Sequence, residues 1–486
     1  MYIGIDLGTS GVKLILVTKD GTVINTVTRS YDLLIPKPSW TEQDPNEWYN
    51  KTLDGLKELT KNNKEIKGIS FSGQMHGLVV LDKNDKVLRN ALLWNDQRTV
   101  EEVEYLNNEV GIESLLDYTG NIALTGLTAP KILWIKNNEP EIFEKISKIM
   151  LPKDYLIYKL TGEFKTDVSD TSGTLYFDVK NRCYSNEMLN ILGITERQLP
   201  KVCESTDIVG TLTEEVKTIL NIKKNVNVIA GGGDQAIGAI GVGIINDGSC
   251  SISLGTSGVV FVASDKFKVD KQSYLQSYAH ANGKYHLMGV MLNAAGSLKW
   301  WSESIFESKN YDLFFNDLIK TPIEDSLYFL PYLTGERSPI NDPDALGVFF
   351  GLALQHRKEN MDRAVIEGVT FALKDSFELI KNLGVNIKTL RLTGGGAKSP
   401  VWAQMISDIM NVKTETIEIE EGPALGAAII AMVGNKDYSS IKEACETIIK
   451  TSHIYNPNKD VVSLYEHKYN EFKKIYPTIK NLYKEL

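Results

Sequence analysis

Residues 7–12 read Leu7-Gly8-Thr9-Ser10-Gly11-Val12, and residues 254–259 repeat them letter for letter as Leu254-Gly255-Thr256-Ser257-Gly258-Val259. Each copy stands between β-forming runs, at 2–5 and 13–17 around the first and at 250–253 and 260–263 around the second. A shared strand–turn–strand setting near the start of each half points to duplication, because coincidence would supply the letters without the setting. A chain of 486 residues accommodates two large domains or three ordinary ones. The repeat selects two, spanning 1–245 and 246–486.

Strands continue beyond each copy. Lys19-Asp20-Gly21 is a turn before the run 22–27, and Ala281-Asn282-Gly283-Lys284 a hairpin turn before 285–290. Helices alternate with them. Asp44-Pro45-Asn46-Glu47 is a capping pattern ahead of Trp48, Leu56 and Leu59, and Thr128-Ala129-Pro130 opens another helix through Ile132 and Trp134. Residues 361–382 carry the apolar spacing of a long amphipathic helix. Both halves are therefore α/β. Two helices of small residues stand apart, DQAIGAIGVG at 234–243 and PALGAAIIAM at 423–432. Their spacing suits tight packing inside one domain, and equally a crossing between the two halves that acts as a hinge. The tail, 465–486, reads as a surface helix.

A formal net charge of −9 argues against a nucleic-acid surface. No apolar run is long enough for a membrane span, and no secretory leader is evident, so a cytoplasmic location is expected. The four cysteines, Cys183, Cys203, Cys250 and Cys445, form no CxxC, which indicates neither a disulfide framework nor a zinc site.

A Gly-Thr-Ser-Gly turn between strands offers backbone N–H groups and two hydroxyls to phosphate oxygens, and Lys13 adds charge one step beyond. A plain hairpin has the same letters, but two duplicated turns can clamp a polyphosphate from both sides. Asp6 precedes the first copy, and Ser253 stands at the matching place in the second. A carboxylate there repels phosphate unless it holds Mg²⁺, commonly through water. Gly231-Gly232-Gly233-Asp234 ends an apolar strand and puts an acid within a substrate's reach. Gly394-Gly395-Gly396-Ala397-Lys398-Ser399 lacks the first glycine of a P-loop, with Leu392 in its place, and Gly4, Gly8 and Gly11 do not match a dinucleotide fingerprint. His280 and His286 read as structural or surface residues. His76, within Ser72-Gly73-Gln74-Met75-His76-Gly77 at a strand junction, suits a polyol hydroxyl or a buried structural role.

The runs IGIDLGTSGVK (3–13), WTEQDP (40–45), GQMHG (73–77), LLWNDQR (92–98), LTAPK (127–131), LPKDYL (151–156), LPYLTGERSP (330–339) and EEGPALGAAI (420–429) together resemble the FGGY family of carbohydrate kinases, a branch of the actin-like and hexokinase-like ATPases. The likeness runs nearly end to end and is greatest to the branch that phosphorylates xylulose. It implies two ribonuclease-H-like domains flanking a cleft, with sugar mainly on the first and ATP mainly on the second. Asp234 then matches the general base and Asp6 the residue near Mg²⁺; Gln74, Met75, His76 and Gln235 join Asp234 around the sugar. Thr9, Ser10 and Lys13 match one phosphate turn and Gly255, Thr256 and Ser257 the other, with Ala295, Lys299, Gly395 and Ser399 beside the nucleotide. Gln235 departs from the Asn usual in that branch, which weakens the choice of D-xylulose over ribulose or glycerol. A non-kinase actin-like ATPase, acting as a chaperone or filament subunit, does not account for GQMHG. Family analogy also implies a homodimer. Should Asp234 fail as the base, Asp96 is the next acid to try.

Overall fold

The computed structural model describes residues 1–483 apart from 273, 324–325 and 419–420. It divides into two compact units, neither continuous in sequence. Unit 1 consists of Met1–Ile245, Ser277–Tyr285 and Glu421–Ile449, and unit 2 of the remaining chain. The first segment of unit 1 ends at the division the repeat suggests, but the chain then returns to unit 1 twice.

Unit 1 is built on a seven-stranded sheet. Tyr2–Leu7 lies parallel to Gly68–Gly73, which is parallel in turn to Asn227–Ile229, while Gly11–Val17 and Val23–Ser30 follow as antiparallel neighbours. Ile5 pairs with Leu14 and Gly4 with Ile15, so Leu14 and Gly4 point to opposite faces. The helix Pro45–Thr60 covers the first face, with Gly55 against Leu14. It begins as the capping pattern predicts, Asp44 accepting from the Asn46 N–H with Pro45 following. The helix Gly422–Gly434 covers the second face. A Cβ on Gly4 would lie 2.8 Å from the Ala428 nitrogen, a main-chain approach only glycine permits.

Unit 2 repeats the motif. Ser249–Leu254 pairs antiparallel with Gly258–Ser264 and parallel with Thr389–Thr393, and Lys413–Ile417 and Thr451–Tyr455 extend the sheet. The two identical turns nevertheless close differently. Leu7 pairs with Val12, whereas Leu254 pairs with Gly258, one residue short of the equivalent partner. The first turn closes on its own Gly8 N–H to Gly11 carbonyl bond, at 3.0 Å. In the second, the Gly255 carbonyl accepts from Ala295, and the Thr256 carbonyl from Ala294 and Gly296. Identical letters thus meet different neighbours and settle in different registers.

The two small-residue helices, Asp234–Gly241 and Gly422–Gly434, both belong to unit 1 and cross each other there. They do not contribute one helix to each half, as the hinge reading has it. The tail forms the expected surface helix, and one face of it is buried. Lys459–Tyr483 is helical but amphipathic, burying Tyr465, Tyr469, Phe472 and Ile475 in the unit 2 core. Phe371, on the long helix Lys358–Asn382, meets three of those rings. His280 and His286 are buried rather than superficial, the first bonded to the Ile244 carbonyl and the second stacked on Phe261. Among the described residues, no helix is long and apolar enough to cross a membrane.

Candidate active site

Strand register assembles the acidic centre. Asp6 pairs with Ser72, and Ser72 pairs on its other side with Gly232. Asp6 and the chain leading into Asp234 therefore flank one strand, at the carboxyl ends of parallel neighbours where open α/β sheets receive ligands. The glycines are obligatory here. Gly231 has φ +69° and lies against Phe71 main chain, and a Cβ on Gly233 would sit 2.8 Å from Met75 Cγ.

Asp234 is the first residue of its helix and is half-buried. Burial, reinforced by the charge of Asp6, pushes its carboxyl up to about 7, against opposing hydrogen bonds from Gln235. Asp6 Oδ1 accepts from Ser72 Oγ at 2.9 Å. Burial raises Asp6 to about 6, with Ser72 and Lys13 pulling the other way. These two acids lie near neutrality in the absence of a cation, a state suited to proton exchange and to compensation by added positive charge.

The GQMHG segment forms the adjoining wall. Gln74 Nε2 donates to Gln43 Oε1 at 3.2 Å, and Gln74 Oε1 accepts from Thr9 Oγ1 at 3.3 Å. Trp94 Nε1 donates to that same hydroxyl at 2.8 Å, and Trp48 Nε1 to Gln43 Oε1 at 3.0 Å. Met75 is buried between Gly173 and Gly233. His76 is held at φ +67°. Its carbonyl accepts from Thr128 Oγ1 at 3.1 Å and from the buried Lys131 ammonium at 2.8 Å. His76 Nδ1 lies 2.7 Å from the Gly173 carbonyl. A carbonyl can only accept, so Nδ1 carries a proton.

The turn residues fare unequally. Ser10 is exposed, but Thr9 is tied inward and Lys13 is ion-paired with Glu421. In unit 2 the expected residues converge: Ala295 donates to Gly255 as above, and a Cβ on Gly394 would lie 3.2 Å from the Gly255 nitrogen. Thr256 and Ser257 are exposed at the turn, and a Cβ on the exposed Gly395 would meet nothing within 4 Å. Ser399 Oγ caps the next helix, accepting from Trp402 N at 3.3 Å, and Lys299 is exposed at the end of the Ala295–Lys299 helix. Asp96 is no reserve base. It is fully buried, with Arg98 donating to both its oxygens at 2.9 and 2.8 Å and the Thr41 N–H at 2.6 Å. Sequence reasoning assigned no role to Ser72, Gln43 or Trp94. Only the family-like strings containing Gln43 and Trp94 hinted at them.

Comparison with known proteins places this geometry. Residues 1–241 match the model of the N-terminal domain of the FGGY family of carbohydrate kinases, and residues 250–434 that of its C-terminal domain. The xylulose kinase of Staphylococcus xylosus is 40% identical over 479 residues, covering 98% of this chain and 99% of that protein. A ligand-bound xylulose kinase structure from Lactobacillus acidophilus superposes with TM-score 0.95 at 29% identity, covering 100% of this chain and 99% of that one. A gluconate kinase structure from the same organism gives TM-score 0.95, 29% identity and the same coverages. From both halves of its length, the chain belongs to the FGGY family of carbohydrate kinases.

Proposed function

We propose that the protein transfers the γ-phosphoryl group of ATP to the terminal primary hydroxyl of D-xylulose, giving D-xylulose 5-phosphate. The observation that carries the reading is Asp234, at the start of its helix beside Met75 and in the field of Asp6. Phosphoryl transfer leaves little covalent work to the protein, so alignment and charge stabilisation dominate. Asp234 orients the hydroxyl oxygen and takes its proton as the bond to phosphorus forms. A carboxyl pushed up to about 7 is a stronger base than an ordinary carboxylate and is still largely ionised above neutrality. Gln74, His76 and Gln235 supply hydrogen bonds to the remaining hydroxyls. Thr256, Ser257 and Gly395 are the exposed groups of unit 2 assigned to the nucleotide. Mg²⁺, when bound with ATP, neutralises phosphate charge. Asp6, half-buried and raised by that burial, is the residue that would hold it, through water.

The fold does not choose the sugar, since xylulose and gluconate kinases superpose on it equally well. The choice of D-xylulose rests on the 40% identity to a curated xylulose kinase and on the Met75–His76 pair. Coupled ADP release over D-xylulose, D- and L-ribulose, L-xylulose, glycerol and gluconate tests it. D-xylulose is expected to show the highest kcat/KM; a tenfold preference for another substrate overturns the assignment. The same reading places the enzyme in the cytoplasm with its ATP. Family analogy supports a homodimer, which sedimentation velocity tests.

A further inference from the structure

Beneath the glycine strand lies a buried polar cluster that the proposed reaction does not use directly. Lys153, Asp167, Asp170, Ser169 and Ser205 are all essentially inaccessible to solvent. Lys153 Nζ stands 3.0 Å from Asp167 Oδ1. Asp167 Oδ2 accepts from Ser169 Oγ at 2.5 Å, from the Ser169 N–H at 2.8 Å and from Ser205 Oγ at 2.8 Å. The two serines then reach the glycines: Ser169 Oγ accepts from the Gly233 N–H at 3.2 Å, and the Ser205 carbonyl from the Gly231 N–H at 3.0 Å. The segment Gly231–Gly233 is thus gripped at both ends by groups that converge on one carboxylate oxygen. The packing is close, since a Cβ on Gly232 would lie 3.2 Å from Asp167 Oδ2. The same ion pair reaches the other wall of the site. Lys153 Cβ lies 2.8 Å from where a Cβ on Gly73 would be, directly before Gln74, Met75 and His76.

A glycine triplet is the most flexible backbone the sequence offers, yet Asp234 sits immediately beyond it. Precise delivery of a base from such a segment requires outside restraint. We propose that Asp167 and Ser169 are positioning residues for phosphoryl transfer, holding the Gly233 amide so that Asp234 meets the acceptor hydroxyl. Ser169 is the direct link. Its hydroxyl has one proton, which it gives to Asp167, and this orients a lone pair at Gly233 N–H. Asp167 sets the direction of that hydroxyl, and Lys153 sets Asp167. Removing Ser169 Oγ frees the one amide that fixes the residue before Asp234. The inference rests on Asp234 being the base, so the test runs Asp234→Asn alongside.

Ser169→Ala deletes the link with a minimal change of volume. Steady-state kinetics with D-xylulose and ATP, thermal melts and the folded fraction are measured on the wild type and both variants. Ser169→Ala is expected to lower kcat by about 10- to 100-fold, the scale of a misplaced reacting group, while KM for D-xylulose stays within about threefold. A merely structural serine lowers the folded fraction and the melting temperature but leaves kcat per folded enzyme unchanged. A loss of kcat per folded enzyme below tenfold, or a larger loss accompanied by a rise in KM for D-xylulose of more than about threefold, overturns the proposal. An Asp234→Asn enzyme that keeps its turnover overturns the base assignment and the clamp together. Loss in Asp234→Asn with an intact Ser169→Ala enzyme overturns the clamp alone. Should Ser169→Ala fail to fold, Asp167→Asn, nearly isosteric, is judged by the same thresholds.

Discussion

A single methyl group at Gly426 tests whether helix packing sets the position of the proposed base. A Cβ there would lie 2.9 Å from both the Ile237 carbonyl carbon and the Gly241 nitrogen, and closer still to the Ile237 oxygen. All three are main-chain atoms of the Asp234–Gly241 helix, so no side chain can rotate aside. The Gly422–Gly434 helix has no room to retreat, because Gly4 holds its other side at Ala424 and Ala428. The strain must therefore pass to the Asp234 helix, displacing it by about 1 Å in a densely packed interior. Overpacking of this kind costs about 1–3 kcal/mol, and a misplacement of about 1 Å at a reacting group costs roughly a hundredfold in rate. Gly426→Ala is expected to fold, to melt lower, and to lose on the order of a hundredfold in kcat with D-xylulose. Gly238→Ala, on the Asp234–Gly241 helix itself, is the control. Its Cβ would meet only the Pro423 ring, at 3.4 Å, and alanine favours helix over glycine by about 1 kcal/mol. It should melt at or above the wild-type temperature with kcat within about twofold. The assay is coupled ADP release with parallel thermal melts. A Gly426→Ala enzyme with more than half the wild-type kcat would refute the argument that this crossing positions Asp234.

Asp234→Asn keeps shape and one acceptor but cannot take a proton, so kcat should fall by at least about a hundredfold, with Asp234→Ala no better. Retention of a tenth of the wild-type rate removes Asp234 as the base. Because Asp234 must be ionised to act and its carboxyl lies at about 7, kcat/KM should drop roughly fivefold from pH 7 to pH 6; a limb near pH 4 contradicts this. Asp6→Ala should abolish most turnover while sparing much of the sugar affinity, and Ser253→Ala, at the matching place in unit 2, should be mild; equal effects would dissolve the asymmetry between the copies. Asp6 is raised to about 6, so its stabilising contribution is present below pH 4 and lost as pH rises through 6. Asp6→Asn should therefore gain about 1–2 kcal/mol over the wild type at pH 8 relative to pH 4. Thermal melts of the metal-free proteins at the two pH values check it, and a gap that closes at high pH reverses the sign.

Much of this was legible in the letters. Repeated turns and glycine-ended strands announced two related α/β units; Asp6 could be singled out because the second copy has Ser253 in its place, and Asp234 because it follows bare glycines at a strand end. Other features depend on facts no local pattern contains. The one-residue slip between identical turns arises from amides at Ala294–Gly296, some forty residues from the turn they grip. The tail looked superficial because lysines and tyrosines dominate its composition. Yet Tyr465, Tyr469, Phe472 and Ile475 recur at helical spacing, and that stripe decided its burial. Asp167 and Ser169 are the hardest case. In sequence they are an ordinary polar cap on a short helix, and only the fold brings Gly233 against them.

The late return of the chain to unit 1 has a consequence for biosynthesis. The strand Tyr2–Leu7 leaves the ribosome long before the helix that covers Gly4 and crosses the Asp234 helix, which is made only after residue 421. Nascent chains ordinarily complete amino-terminal domains first, but here the first-made unit lacks an apolar layer until nearly all of the second has emerged. A chain halted at Ile245 would expose the sheet face built to receive Ala424 and Ala428. Such a fragment should be caught by chaperones or aggregate, and the acidic centre should mature only once residues 421–449 have emerged.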